Sequence, residues 1–215
     1  MHVPDGFIDA ATSAACALAA AAGVTVAARK AAGELDDRRI PLAGAVAAYV
    51  FAVQMLNFPV AAGTSGHLLG GALAAVLVGP WVGALCITVV LAVQALVFAD
   101  GGLSALGVNI VLMAFVATFV AFAVYAPTRR LLARADGAPP MAAAFAAWCS
   151  VVAASIAFFA IYAVGGTADV PLRTLAASMI GVHGLIGIGE AVITGLTVAA
   201  VVTTRPDLLH AGRRP

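Results

Sequence analysis

Charge is scarce in this chain: Lys, Arg, Asp and Glu together make up 10% of its 215 residues. Soluble domains use roughly a quarter charged residues, so an aqueous globular protein is excluded, and nothing points to a nucleic-acid partner. Lysine is scarcer still. Lys30 stands alone and follows Arg29, so there is no Gly-Lys-Ser/Thr phosphate loop, and any energy must come from a partner subunit or an ion gradient. Cys16, Cys86 and Cys149 have no paired spacing, which excludes a cysteine metal knuckle or redox centre; they read as small buried hydrophobes. Period-2 alternation is missing too, and with it the pattern of a membrane barrel.

What is present is apolar: 63% hydrophobic residues and a mean hydropathy of +1.08. These values and the helix-length runs predict an all-α integral membrane protein, one domain over residues 1–215 and a multi-pass component of the plasma or inner membrane. Seven spans fit, near Ala10 to Ala28, Ile40 to Phe58, His67 to Val78, Trp81 to Phe98, Val108 to Ala126, Met141 to Val164 and Leu175 to Thr203. The transmembrane region covers about residues 10–204, between an amino-terminal stretch at 1–9 and a cytoplasmic tail at 205–215. Arg29, Lys30, Arg38, Arg39, Arg129, Arg130, Arg134, Arg205, Arg213 and Arg214 then share one side, and Arg173 alone lies opposite. Because Lys and Arg stay cytoplasmic, the amino terminus is expected outside and the carboxyl terminus inside. Basic residues follow the first apolar run while Asp5 and Asp9 precede it, the reverse of a signal peptide. Retention of Met1 is expected beside a bulky second residue.

Met1-His2 is a chelating start. The α-amine of Met1 and the amide and imidazole nitrogens of His2 can close fused rings around one metal and leave a fourth in-plane position, an arrangement that Ni(II) or Cu(II) favours and Co(II) accepts in a rigid site. His2 also reads as an ordinary polar residue on a frayed end.

Polar residues interrupt the apolar runs in three places. The stretch from Gln54 to Gly71 carries Asn57, Pro59, Thr64, Ser65 and His67 among glycines; a helix should end there, in a loop packed against protein, because bare backbone does not survive in lipid. His67 begins a short span on the amino-terminal side, where it is a candidate fourth nitrogen or a hydrogen-bonded structural residue. Gln94, Asp100 and Asn109 occupy the next turn on that side. A carboxylate or amide there can fix a ligand tautomer, although Asp100-Gly101 also reads as a plain turn. In the last span His183 and Glu190 are seven residues apart and share a helix face. A buried carboxylate in hydrocarbon needs a partner; a structural hydrogen-bond lock, a metal relay and a proton-coupling pair all fit. Small residues recur four apart at Ala15, Ala19, Gly23 and Ala27, and at Gly44, Ala48 and Ala52, stripes that allow close helix approach.

The opening Met-His-Val-Pro-Asp-Gly-Phe, the segment from Asn57-Phe58-Pro59 through Thr64-Ser65-Gly66-His67-Leu68-Leu69-Gly70-Gly71, Gly79-Pro80-Trp81, the run Val93 to Gly102 and Ala105 to Asn109 together resemble the CbiM/NikM family. Its members are the substrate-capturing membrane components of energy-coupling factor importers for cobalt and nickel. The resemblance implies seven helices and a metal pocket filled by Met1 (amine), His2 (amide and imidazole) and His67 (imidazole); Asn57, Thr64, Ser65, Gln94, Asp100 and Asn109 are the candidate supporting residues read from the sequence around it. It implies a transmembrane coupling protein, two cytosolic ATP-binding subunits and often a small accessory membrane subunit as partners. No cofactor of its own is expected, only Co2+ or Ni2+ as substrate, and no enzyme activity. A self-sufficient proton-coupled metal transporter using His183 and Glu190 is the main rival. A vitamin-capture subunit would need an aromatic-lined pocket, for which aromatics at 7% are sparse.

Overall fold

The structure is a computed structural model that describes residues 1–37, 39–59 and 65–210, with Phe58, Pro59 and Ser65 as backbone only. Arg38, Thr64, Arg213 and Arg214 lie outside the described residues. Seven helices follow one another among the described residues: α1 Ala10–Ala32, α2 Arg39–Gln54, α3 Gly71–Val78, α4 Pro80–Val97, α5 Leu106–Leu131, α6 Ala138–Gly165 and α7 Leu172–Thr204. Five of them, α1, α4, α5, α6 and α7, are long and apolar enough to cross a membrane. The two shorter ones, α2 and α3, fall below that length. A short antiparallel pairing of Phe58–Pro59 (β1) with Ser65–Gly66 (β2) closes the loop between them.

The helix ends have local causes. Asp9 caps α1 by accepting the Thr12 amide at 2.6 Å, satisfying a donor that has no partner inside the helix. Pro80 opens α4 and Pro139 lies in the first turn of α6, where a missing N–H costs nothing. Within α5 the residues Ile110–Ala117 form a π-helical stretch, a widened turn of the kind often found beside functional sites. Helix α1 continues past the expected Ala28 because Arg29 and Lys30 make a favourable basic last turn. Helix α3 starts at Gly71 instead of His67, because Gly70 adopts a left-handed φ of +74° and the backbone just before it is bonded elsewhere.

Helix α7 shows how the bundle is organised. Its buried residues Leu175, Met179, His183, Gly187, Glu190, Thr194 and Val198 form one stripe, while Leu185, Ile188, Val192 and Leu196 are exposed. An exposed apolar face and a buried face holding the polar groups is the pattern a bilayer demands. Every residue of α3 is buried, so this half-length helix is surrounded by protein. From Gln54, Gly71, Gln94, Asn109, Gly165 and Leu172 the helices α2, α3, α4, α5, α6 and α7 all reach the end that carries the amino-terminal arm. At the opposite end, Arg29, Lys30, Arg39, Arg129, Arg130 and Arg205 gather with the α3–α4 turn. There His210 is packed: its ring lies beside Gly79, whose φ is +88°, and edge-on to Phe122 with centroids 6.0 Å apart.

Candidate metal-binding site

Residues 1–9 form an extended arm that enters the bundle and is tied down along its length. Val3 donates its amide to Asn109 Oδ1 at 2.8 Å and accepts at its carbonyl from Gly102 N at 2.9 Å and Asn109 Nδ2 at 3.2 Å. Asp5 Oδ1 accepts from the Ser104 amide and hydroxyl at 2.7 and 2.6 Å. Ile8 bridges to Gly166, the Asp9 amide donates to Gly165 O at 2.7 Å, and Phe7 packs on Tyr162 with centroids 5.0 Å apart. Gly102 is required by closeness, since a Cβ there would stand 2.3 Å from the Asp5 nitrogen. The arm delivers Met1 and His2, 0% and 4% exposed, into the interior. His2 is thus no frayed end.

His67 arrives from the other side of the pocket, between β2 and α3. Its ring is fully buried and stacks on that of His2 with centroids 4.4 Å apart. Each ring is held through one nitrogen and leaves the other without a hydrogen bond. His2 Nε2 lies 3.1 Å from Gln94 Oε1, and Gln94 turns its amide nitrogen toward Met55 Sδ at 4.0 Å, which leaves its oxygen as the acceptor. A neutral imidazole has one N–H, so this contact puts the proton on Nε2 and the lone pair on Nδ1. His67 Nδ1 lies 2.8 Å from Leu68 O, which likewise leaves Nε2 with its lone pair. Neither His2 Nδ1 nor His67 Nε2 has a hydrogen-bond partner among the described residues.

Asp100 Oδ1 stands 3.2 Å from His2 Nδ1, an atom without a hydrogen-bond partner of acceptable geometry among the described residues. Asn57 Nδ2 donates to Asp100 Oδ2 at 2.9 Å and fixes the carboxylate. Burial pushes the Asp100 carboxyl up, yet its contacts with His2 and Asn57 outweigh this and hold it below the usual range. Burial drives the Met1 amine well below its ordinary value against the pull of Asp100 and Glu190, and drives the His2 imidazole down against Asp100. Both groups are therefore held in the neutral form that a metal ligand requires.

The structure thus brings Met1, His2, His67, Gln94, Asp100 and Asn57 together. Asn109 holds the arm's backbone instead of a histidine. Ser65 lies on β2 with its side chain undescribed, and Thr64 is outside the described residues. Glu190 accepts the amides of Leu69 and Gly70 at 2.5 and 2.8 Å, so it braces the segment that carries His67. His183 places Nδ1 2.8 Å from its own helix's Met179 O. The supports that sequence reading missed are the Leu68 carbonyl, Met55, Ser104 and the close approach at Gly102; backbone partners leave no side-chain signal, whereas the Asp5 and Gly102 pair has only its turn composition to mark it. No group of three or more His, Cys, Asp or Glu side chains among the described residues is arranged to hold a metal.

The profile of CbiM, cobalt uptake substrate-specific transmembrane region, matches residues 2–208. A putative metal transport protein of Haloquadratum walsbyi is 38% identical, the alignment covering 97% of this chain and 93% of that one. A putative fused nickel transport protein NikMN of Archaeoglobus fulgidus is 36% identical over 100% of this chain and 70% of its own length. The cobalt transport protein CbiM of Sorangium cellulosum is 32% identical over 82% and 79%. A crystal structure described as a transition metal transporter superposes with a TM-score of 0.86 at 32% identity, covering 94% of this chain and 93% of the other.

Proposed function

Because the chain belongs to the CbiM family of cobalt uptake substrate-specific transmembrane regions, we propose that it captures one Co(II) or Ni(II) ion as substrate in the pocket between its amino-terminal arm and His67. The Met1 amine, the His2 amide and Nδ1, and His67 Nε2 supply four nitrogens. The observation that carries this reading is the pair of buried histidines, each fixed through one ring nitrogen and without a hydrogen bond at the other. Gln94 and the Leu68 carbonyl set the tautomers, as partners of metal-bound histidines do. Asp100 adds a negative charge that offsets part of the ion's.

The gathering of Arg29, Lys30, Arg39, Arg129, Arg130 and Arg205 at the far end supports placing the pocket on the extracellular side and that end in the cytoplasm. Release inward is assigned to an energy-coupling factor assembly with a transmembrane coupling protein and two ATP-binding subunits. The proton-coupled alternative is less favoured, since both Glu190 oxygens accept backbone amides. In this reading the protein is a transport subunit in a cell membrane, without enzyme activity or a cofactor of its own.

The test is a one-residue extension at the amino terminus. It leaves every side chain in place and removes only the amine from the chelate. Calorimetry with NiCl2 on the purified full chain should show tight binding lost, and acetylation of Met1 should do the same; undiminished affinity in both would refute amine ligation.

A further inference from the structure

Two histidines account for the imidazole ligands proposed above, but a third is built the same way. His183 is fully buried, its Nδ1 lies 2.8 Å from Met179 O, and its Nε2 has no hydrogen-bond partner among the described residues. The Nδ1 contact puts the proton on that atom and leaves a lone pair on Nε2, the state seen at His67. A buried acceptor left without a partner is costly, and such a group in a native interior asks for an explanation.

The position of His183 supplies one. It lies on the buried stripe of α7, two helical turns from Glu190, or about 10 Å along the axis. Glu190 grips the amides of Leu69 and Gly70, and the Leu68 side chain reaches Gly189 on the same helix. The stripe therefore faces the segment that bears His67. The same helix also touches β2, the strand that leads directly into His67.

We propose that His183 is a reserve ligand for the same divalent ion: when His67 withdraws, His183 Nε2 takes the fourth position beside the Met1 amine and the two His2 nitrogens. This rests on the capture site proposed above. The step is a ligand exchange in which one imidazole nitrogen replaces another and no proton or electron moves. It gives the departing ion a four-coordinate alternative to a three-coordinate chelate, on a helix separate from the one that His67 precedes.

A double-mutant cycle on the purified full chain with NiCl2 tests it, read by affinity and by the visible absorption band of planar four-nitrogen Ni(II). His183→Ala alone should bind within about threefold of the unmodified protein, because the capture set is complete. His67→Ala should bind more weakly yet keep the planar band. His67→Ala/His183→Ala should lose the band and bind about tenfold or more weaker than His67→Ala. Should His183→Ala lower the melting temperature of the metal-free protein, His183→Phe fills the volume and replaces it in the cycle. If the double variant matches His67→Ala in both affinity and spectrum, His183 is not a ligand. The capture reading fails separately, if the extended amino terminus binds as tightly as the original.

Discussion

The rings of His2 and His67 lie stacked, with centroids 4.4 Å apart and planes 28° from parallel, although one comes from the arm and the other from the turn before α3. Two imidazolium ions at that spacing would repel strongly in a buried pocket. Neutral rings with bare nitrogens are the arrangement that burial permits, and a divalent ion is what neutral nitrogens and a neighbouring carboxylate attract.

Gln94 has one acceptor role in this pocket, at His2 Nε2. In Gln94→Leu the ring loses the partner that keeps its proton off Nδ1, and the other tautomer competes. Nickel affinity should fall by roughly 10- to 100-fold. Calorimetry measures it, and an unchanged melting temperature of the metal-free protein would show that the bundle is intact.

Glu190 and the His67 segment are a second separable link. Glu190→Gln replaces one acceptor oxygen by an NH2 that faces a backbone N–H, so one of the two bonds to Leu69 and Gly70 is lost and a donor is left buried. The expected cost is about 1 to 3 kcal/mol of stability, with weaker metal binding because His67 is no longer braced. Thermal unfolding and nickel titration of the same sample report the two effects together; a variant with native stability and native affinity would show that the brace is dispensable.

The contact of Gly102 with the arm predicts a steric effect. A methyl group there meets the main chain of Pro4 and Asp5 at 2.7 and 2.3 Å, neither of which is a flexible side-chain end. Gly102→Ala should push the arm outward, cost about 1 to 3 kcal/mol and lower metal affinity although no ligand is altered. Gly44→Ala is the comparison: nothing lies within 4 Å of a Cβ there, and both measurements should stay near those of the original chain.

The positions of the long helices were legible because apolar runs of bilayer length have few alternatives, and His2, His67, Gln94 and Asp100 were legible because polar residues are rare enough in this chain to stand out. The edges were harder to read. Residues 67–70 are apolar enough after His67 to pass for the start of α3, but the Leu69 and Gly70 amides bond to a carboxylate far along the chain, and only three-dimensional contact reveals that. Asn109 illustrates the same limit. Its polarity marked it for the site, whereas its partners, the Val3 N–H and C=O, are groups that every residue but proline carries alike. The lone pair of His183 also depended on knowing that Met179 O occupies the other nitrogen.

Proton competition gives the last prediction, and burial sets where it acts. Free, the α-amine titrates at roughly 7.7 to 8.0 and histidine at roughly 6.5; in the protein, burial lowers the Met1 amine well below that range and lowers His2 as well. A base with a lowered pKa stays neutral to lower pH, so protons begin to compete with the metal only below the ordinary values. At pH 8, above both lowered values, the amine and the ring are neutral, and the proton released on binding there is chiefly the one from the His2 amide, about one per ion. Affinity should therefore fall about tenfold per pH unit near neutrality and more steeply once pH drops through the lowered values, where several donors must lose protons together. The metal-free protein should lose stability over the same descent, because the unfolded chain takes up protons at the ordinary pKa values while the folded one does not. Nickel titration from pH 8 to pH 5 in buffers of different ionisation enthalpy measures affinity and proton release together. Affinity independent of pH with no proton released would refute the nitrogen chelate, and about two protons released at pH 7 would show that the amine is not held neutral by burial.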